Sequence, residues 1–231
     1  IAVIDASAAD QSDVVLTAYQ AHDKKERVLP VLVALENDDA LSVLTQTLEN
    51  GSVIKKEIAI ETLGNWRNNA AIQPLYGAAV TFKEEALRAS AFKNYLTQVI
   101  KSSHPDDQKL LLIKRVYPFQ KTMDDKKYVL NAAGKVKTFL SLVFVSQFLE
   151  DPALESVASG TAIGIALPTP TAQGLRGTVV RQIVSRSIDN LTGEDSQYLK
   201  IDVREFLDNM PKEQGFVSIF NGKDLSGWQG L

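Results

Sequence analysis

A short amphipathic motif recurs three times along the chain and constrains the fold more than any other feature. It runs Lys56-x-x-Ala59-Ile60-x-x-Leu63, and matching segments begin at Arg88 and at Lys126. Apolar residues three and four positions apart occupy one face of a helix. Recurrence every ~30–40 residues indicates helix pairs stacked into an α-solenoid, where stacking buries faces that no single pair could bury alone. The alternative is an irregular helical bundle in which the spacing is coincidental.

Helix-start and helix-stop signals divide the chain into segments of helical length. Gly51 follows the first such segment at a position suited to a left-handed C′ residue, and the last helix should end before Pro211. Gly160 and Gly164 are expected to provide small-residue packing inside a helix. The predicted starts are marked by Asp38-Asp39, Ser52, Asn69, a capping box at 81–84, Pro105, a second capping box at 122–125, Asp151-Pro152 and residues 192–195.

These signals predict an all-α protein, a right-handed α-α superhelix of about five or six helix pairs with a short extended C-terminal tail. We expect residues 1–165 to hold the repeats and residues 166–212 to form terminal capping helices, because the repeat pattern fades there. Residues 213–231 are predicted to begin a β-rich domain. An apolar content of 45% and a charged content of 23% are ordinary for a globular chain.

The last part of the chain, residues 215–231, has a different pattern. Side chains alternate over residues 216–220 as they do in a strand, and Asn221-Gly222 is a pair that favours a tight turn. A lone strand cannot bury a core, so we expect it to belong to a β-rich domain that continues beyond Leu231. Because the chain begins at Ile1 rather than Met, we expect both ends to lie inside a longer protein.

Residues 63–75, Leu-Gly-Asn-Trp-Arg-Asn-Asn-Ala-Ala-Ile-Gln-Pro-Leu, resemble the HEAT repeat, in which one helix ends at Leu-Gly and the next opens near Ala-Ile-x-x-Leu. Residues 133–154 are similar, and the likeness spans roughly residues 25–165. The resemblance implies a scaffold that presents a concave face to a protein partner or positions a neighbouring domain. Trp66, at the corner between two helices, is interpreted as a core residue rather than a sugar-stacking platform.

Residues 215–228, Gly-Phe-Val-Ser-Ile-Phe-Asn-Gly-Lys-Asp-Leu-Ser-Gly-Trp, resemble the opening of the 3-keto-disaccharide hydrolase domain, a concanavalin-like β-sandwich of bacterial envelope proteins that HEAT repeats commonly precede. The resemblance implies a periplasmic or envelope protein acting on 3-keto glycosides, by hydrolysis or by elimination and hydration. Only the first strand and turn are matched, so no catalytic residue is carried over. Carbohydrate would be bound by the remainder of that domain.

Candidate metal and acid–base residues are few. The chain has no Cys, and His22 and His104 lie in no His-x-x-x-His frame. Five carboxylate pairs fall in the first turns of predicted helices, where negative charge interacts favourably with the helix dipole: Asp38-Asp39, Glu84-Glu85, Asp106-Asp107, Asp124-Asp125 and Glu194-Asp195. We therefore assign no catalytic, cofactor-binding or metal-binding residue, and we expect this segment to be non-catalytic.

Basic residues leave one further alternative open. A single ridge that meets nucleic-acid phosphates could be formed by Lys114, Arg115, Lys121, Lys126, Lys127, Lys135 and Lys137. A net charge of −3 argues against nucleic acid as the partner. No apolar run approaches the ~18 residues of a membrane span. Three hypotheses remain: an interaction scaffold, the glycoside hydrolase activity of the parent protein, and nucleic-acid binding through the Lys/Arg ridge.

Overall fold

The computed structural model describes residues 8–170, 172–192 and 196–211, together with residue 224. Within these ranges the regular structure consists of eleven α-helices and four short 3-10 segments, with one isolated antiparallel bridge between Thr169 and Ala172. The predicted all-α class is confirmed. The predicted extended tail, residues 213–231, lies outside the described residues except for residue 224.

The chain divides into two compact units, Ile1–Val136 and Lys137–Leu231. The first unit contains α1 (Ala8–Ala21), α2 (Asp38–Asn50), α3 (Val53–Gly64), α4 (Ile72–Thr81), α5 (Glu85–Lys101), α6 (Asp106–Val116) and α7 (Met123–Lys135). Its 3-10 segments are Lys25–Arg27, Leu29–Ala34, Asn69–Ala71 and Tyr117–Phe119. The second unit contains α8 (Phe139–Ser146), α9 (Glu155–Ala166), α10 (Thr178–Asn190) and α11 (Ser196–Asn209). The domain boundary that the sequence predicted at residue 165 is a different one: it marks where the repeat pattern fades, and it stays a prediction.

The helices of the first unit pack as stacked pairs. α2 packs on α3, α4 on α5, and α6 on α7. Each second helix also packs on the second helix of the next pair, so that α3 contacts α5 and α5 contacts α7, while the first helices α2, α4 and α6 contact one another in the same order. The short connections at residues 51–52 and 82–84 favour antiparallel pairs. This arrangement is solenoid-like, as the repeated motif predicted.

The three copies of the motif occupy equivalent helices, α3, α5 and α7. Every apolar position of the motif is at most 1% exposed: Ala59, Ile60, Leu63, Ala91, Phe92, Tyr95, Val129, Leu130 and Ala133. Burial of a large aliphatic or aromatic side chain contributes about 1.5–3 kcal/mol, so these faces supply much of the core. The basic position differs between copies, because Arg88 is buried whereas Lys56 and Lys126 are only half-buried.

The second unit is held together by helix packing and by side chains that satisfy helix ends. α8 packs on α9, α9 on α10, and α10 on α11. Arg181 of α10 donates hydrogen bonds to the carbonyl oxygens of Leu207, at 2.8 Å, and Met210, at 2.9 Å. A cation at these carbonyls also interacts favourably with the dipole of α11. At the end of α10, Asn190 donates to the carbonyl oxygen of Leu149 at 2.9 Å.

Several predicted helix starts are confirmed. Thr122 and Asp125 form the predicted capping box of α7, with the Thr122 hydroxyl accepting from the Asp125 N–H at 3.1 Å and the Asp125 carboxylate accepting from the Thr122 N–H at 3.1 Å. The structure also begins α6 directly after Pro105 and α3 directly after Ser52. In each of these cases a local cap or turn residue was sufficient to predict the start.

Two predictions near helix ends are wrong. Thr81 is the last residue of α4, and its hydroxyl donates to the carbonyl oxygen of Gly77 at 2.7 Å instead of capping α5, which begins at Glu85. Threonine can satisfy a carbonyl of its own helix in this way, and it then cannot act as an N-cap. Gly51 has φ −73° and ψ 160°, so it is extended rather than left-handed.

Three predicted starts are shifted along the chain. The N-cap of α2 is Asn37, whose side chain accepts from the N–H of Ala40 at 2.9 Å. Asn68 rather than Asn69 caps the 3-10 segment that leads into α4. Asp151 begins a turn instead of a helix, and α9 follows from Glu155. Of the start predicted at residues 192–195, residues 193–195 lie outside the described residues.

Candidate functional site

A shallow groove of about 280 Å³ lies between α5 and α7, the second helices of two successive pairs. Its floor is apolar, because Leu96 and Ala132 are buried there and Ile100 is half-buried. This volume is slightly below the ~300–1,000 Å³ typical of small-molecule pockets.

Three lysines surround this floor. Lys93 and Lys101 extend from α5 and Lys135 extends from α7, and all three are exposed. The Nζ of Lys93 lies 5.5 Å from the ring centroid of Tyr128, close enough for a cation–π contact. Over the described part of the chain, none of the three lysines forms an ion pair. The groove thus combines an apolar floor with a positively charged rim, which we call the lysine rim.

A buried ion pair joins the two helices that form the groove. Nη2 of Arg88 on α5 lies 2.8 Å from Oδ2 of Asp125 on α7, and both side chains are almost fully buried. The contact is an ion pair rather than a directed hydrogen bond, because none of the three buried Arg88 nitrogens forms a hydrogen bond within the described residues. Asp125 Oδ2 also accepts from the backbone N–H groups of Lys121 and Thr122, at 2.8 and 3.1 Å. The Asp125 carboxylate therefore caps the N-terminus of α7 and also neutralises the buried Arg88 guanidinium.

Two polar side chains hold the buried face of α5. The hydroxyl of Tyr95 donates to the carbonyl oxygen of Leu112 on α6 at 2.9 Å, and burial raises the pKa of Tyr95. Nε2 of Gln98 donates to the carbonyl oxygens of Gly64 and Trp66, each at 2.8 Å. Trp66 is 2% exposed, which confirms its interpretation as a core residue. These bonds secure α5 to its neighbours and support the groove from inside the unit.

The basic ridge considered for nucleic acid is distributed over several elements. Arg115 lies in the last turn of α6. Its Cζ is 3.9 Å from the ring centroid of Tyr76, and its Nη1 donates a hydrogen bond to Oε1 of Gln73 at 3.3 Å. Lys126 and Lys135 lie about 13 Å apart along α7 at a rise of ~1.5 Å per residue. Of the ridge residues, Lys135 lines the groove. Nucleic-acid binding remains an alternative.

The carboxylate pairs lie where the sequence placed them, at helix starts. First turns contain Asp38-Asp39 in α2, Asp106-Asp107 in α6 and Asp124-Asp125 in α7, while Glu84 is the N-cap of α5 and Glu85 its first residue. Residues 194–195 lie outside the described ranges. Among the residues described, no group of three or more His, Asp or Glu side chains could hold a metal ion. None of the helices in these ranges combines the length and apolar composition that spanning a bilayer requires.

The second unit contains a larger depression of about 570 Å³ between residues 167–176 and α11. Its polar lining includes Arg176, Asp202, Glu205 and Asn209, all of them exposed. Asp202 and Glu205 lie one turn apart on α11, a spacing that is common on solvated helix faces. Met210 closes one end of the depression.

The sequence analysis missed Lys93, Lys101 and Tyr128 as members of one surface. A signal was present, since neither α5 lysine has an acidic residue three or four positions away on its helix. A lysine without such a neighbour is available to an external carboxylate. What the sequence could not show was that Tyr128, on another helix, lies beside Lys93.

Comparison with known proteins adds no assignment to this geometry. No protein-family model matches the sequence, and no curated protein matches it significantly.

Proposed function

We propose that this chain is a non-catalytic, HEAT-like helical-repeat scaffold that binds a protein partner through the groove between α5 and α7. The observation that carries the proposal is the combination of an apolar floor at Leu96 and Ala132 with the lysine rim. Surfaces of this kind favour association with a protein segment, because apolar contact supplies affinity and charge supplies specificity.

The buried ionisable groups support a structural rather than a chemical role. Asp125 is occupied by the capping box of α7 and by Arg88. Tyr95 has a raised pKa because it is buried, and its hydroxyl already donates to the carbonyl oxygen of Leu112. A general acid or base must instead reach a substrate with a pKa near the working pH. Both groups are engaged in holding α5 to its neighbours.

The resemblance of residues 215–228 to the start of a 3-keto-disaccharide hydrolase domain supports a more specific context. We propose that the repeats position such a sugar-active domain in a bacterial periplasmic or cell-envelope protein. That domain would itself be one candidate partner of the scaffold, and carbohydrate would be bound only there. The enzymatic activity would then belong to the parent protein.

An activity assay tests this proposal. Purified residues 1–231 and the polypeptide extended beyond Leu231 are incubated with a chromogenic 3-keto glycoside, and release of the aglycone is measured. We expect turnover by the extended polypeptide and none by residues 1–231 alone. Turnover by residues 1–231 would contradict the non-catalytic assignment. Absence of turnover in both would remove the sugar-active context and leave the interaction scaffold.

Nucleic-acid binding through the Lys/Arg ridge defined above is the second candidate, and the observation that favours it is that Lys135 of this ridge also lies on the lysine rim of the groove. A nucleic-acid-binding chain should bind duplex or single-stranded oligonucleotides at low salt, with an affinity that falls steeply as salt is raised. A titration at two salt concentrations measures this loss of affinity for the oligonucleotide.

A further inference from the structure

We propose that the groove between α5 and α7 recognises an acidic, extended peptide segment in which one bulky apolar side chain is flanked, two residues away on each side, by a carboxylate. This inference rests on the proposed interaction function and specifies the chemistry of the partner. The apolar side chain occupies the floor formed by Leu96, Ile100 and Ala132, and the two carboxylates meet the lysine rim.

The apolar floor of the groove explains why the proposed peptide has an apolar side chain at its centre. Leu96 and Ala132 are buried but line an open groove, and the Tyr128 ring at its edge is 39% exposed. A bulky apolar side chain placed there would contact Leu96, Ala132 and the exposed edge of Tyr128. A bulky apolar side chain that is buried against this floor is the natural anchor of a short peptide.

The spacing of the lysines accounts for the carboxylates. Lys93 and Lys101 lie about 12 Å apart along α5 at a rise of ~1.5 Å per residue. Four residues of an extended peptide span about 13 Å, and alternate side chains point to the same face. A carboxylate two residues before the anchor and another two residues after it therefore match Lys93 and Lys101. Lys135 lies across the groove on α7 and adds positive charge.

The lysine rim is only partly explained by the helices themselves. Lys101 and Lys135 lie in the last turns of their helices, where positive charge offsets the helix dipole. Lys93 lies in the middle of α5, where the dipole offers no such stabilisation. Because the whole chain has a net charge of −3, the rim is a local positive feature on an acidic protein. Such a feature favours an acidic partner through charge complementarity.

Nucleic acid fits this groove less well than an acidic peptide. Single-strand binding depends on aromatic platforms on which bases stack. Here the floor is aliphatic, and the nearby Tyr128 ring is already in contact with Lys93. An apolar side chain uses the aliphatic floor, whereas a phosphate backbone would use the lysines alone.

Fluorescence anisotropy with a labelled peptide, Gly-Gly-Glu-Ser-Phe-Ser-Glu-Gly-Gly, tests the inference. We expect saturable binding to residues 1–231 at low salt. Lys93→Glu and Lys101→Glu should each weaken binding about tenfold, because attraction is replaced by repulsion. Lys83→Glu makes the same change at an exposed lysine outside the groove, and it should alter the affinity by less than about twofold. Circular dichroism confirms that the variants remain folded.

Matched peptides separate the two parts of the site. Replacing both Glu residues by Gln should weaken binding about tenfold, and replacing Phe by Ser should do the same. The inference would be overturned if the Glu and Gln peptides bound with equal affinity or if the Glu peptide did not bind at all. It would also be overturned if Lys83→Glu weakened peptide binding as much as Lys93→Glu or Lys101→Glu does. An oligonucleotide that displaces the peptide and binds more tightly than the peptide would also overturn the inference, provided that Lys101→Glu abolishes its binding. That result would favour nucleic acid as the ligand of the groove.

The outcome is separable from that of the proposed function. Failure of peptide binding, with no 3-keto-glycoside turnover by residues 1–231, overturns this inference and leaves the non-catalytic scaffold standing. Turnover by residues 1–231 overturns the proposed function whatever the peptide does.

Discussion

Nη2 of Arg88 lies 2.8 Å from Oδ2 of Asp125, and this buried contact joins α5 to α7. Asp125 belongs at the same time to the capping box that begins α7. The residue that caps the start of α7 thus also contacts the neighbouring helix α5. The same two helices form the groove, so the geometry of the candidate site depends on this pair.

Removing either member of the pair should be strongly destabilising. Arg88→Met leaves a buried carboxylate without its cation, and Asp125→Asn leaves a buried guanidinium without its anion. Either change should lower the free energy of unfolding by about 3–5 kcal/mol. The double variant should be less destabilised than the sum of the two, as measured by urea unfolding followed by circular dichroism. Additive effects would show that the two side chains are not coupled.

Gln98 should contribute to the stability of the first unit, because its side chain donates hydrogen bonds to two backbone carbonyl groups at once. Gln98→Met keeps the length of the side chain but leaves the carbonyl oxygens of Gly64 and Trp66 without their donor. We expect a loss of about 2–3 kcal/mol in the free energy of unfolding. Gln46→Met, at an exposed position on α2, is the matched control and should change stability by less than about 0.5 kcal/mol. Similar effects at the two positions would contradict the role of Gln98.

Glycine substitutions should have opposite effects at different helix positions. The expectation that Gly160 and Gly164 provide close packing in α9 is wrong, because an added Cβ at either would meet nothing within 4 Å. Alanine at each should stabilise the second unit by about 0.5–1 kcal/mol, through the backbone entropy of the unfolded chain. Thermal unfolding of the single and double variants measures this gain. A loss of stability would indicate that this face of α9 is covered.

Gly64 provides the contrasting case. A Cβ there would lie 2.7 Å from Cγ of Asn94 on α5, so the Asn94 side chain would have to move to accommodate alanine. Gly64→Ala should destabilise the first unit by about 1 kcal/mol or more. In an Asn94→Ala background the same substitution should become neutral or stabilising, which urea unfolding of the four proteins would detect. An unchanged penalty would place the cause elsewhere.

Tyr95 should make stability fall at alkaline pH. Burial raises its pKa, so the folded chain retains the phenolic proton that the unfolded chain loses above about pH 10. This contribution is fully present below the unfolded pKa and is lost as the pH rises toward the raised folded pKa. Between pH 10 and 11 the wild-type protein should lose up to about 1 kcal/mol more than Tyr95→Phe. Urea midpoints at several pH values measure the difference, and Tyr128→Phe, at a more exposed ring, should behave like wild type.

Local patterns in the sequence were enough to predict the helices and their buried faces. The motif at Ala59, Ile60 and Leu63 follows from the helical period, which is a property of neighbouring residues and needs no knowledge of the fold. The capping box of Thr122 and Asp125 is equally local. Thr81 was wrongly assigned for a related reason, because a threonine hydroxyl can satisfy either the helix before it or the helix after it. Composition alone does not decide between these two choices.

Periodicity and cap chemistry by themselves determined that this chain forms stacked helices and which face of each repeat helix is apolar. Tertiary packing decided the rest. It buried Arg88 while leaving Lys56 and Lys126 half-exposed, and it placed Tyr128 beside Lys93 to form one groove. The sequence of a helix specifies its own apolar stripe. Which other helix covers that stripe, and whether a groove is left between the two helices, depends on residues far away along the chain.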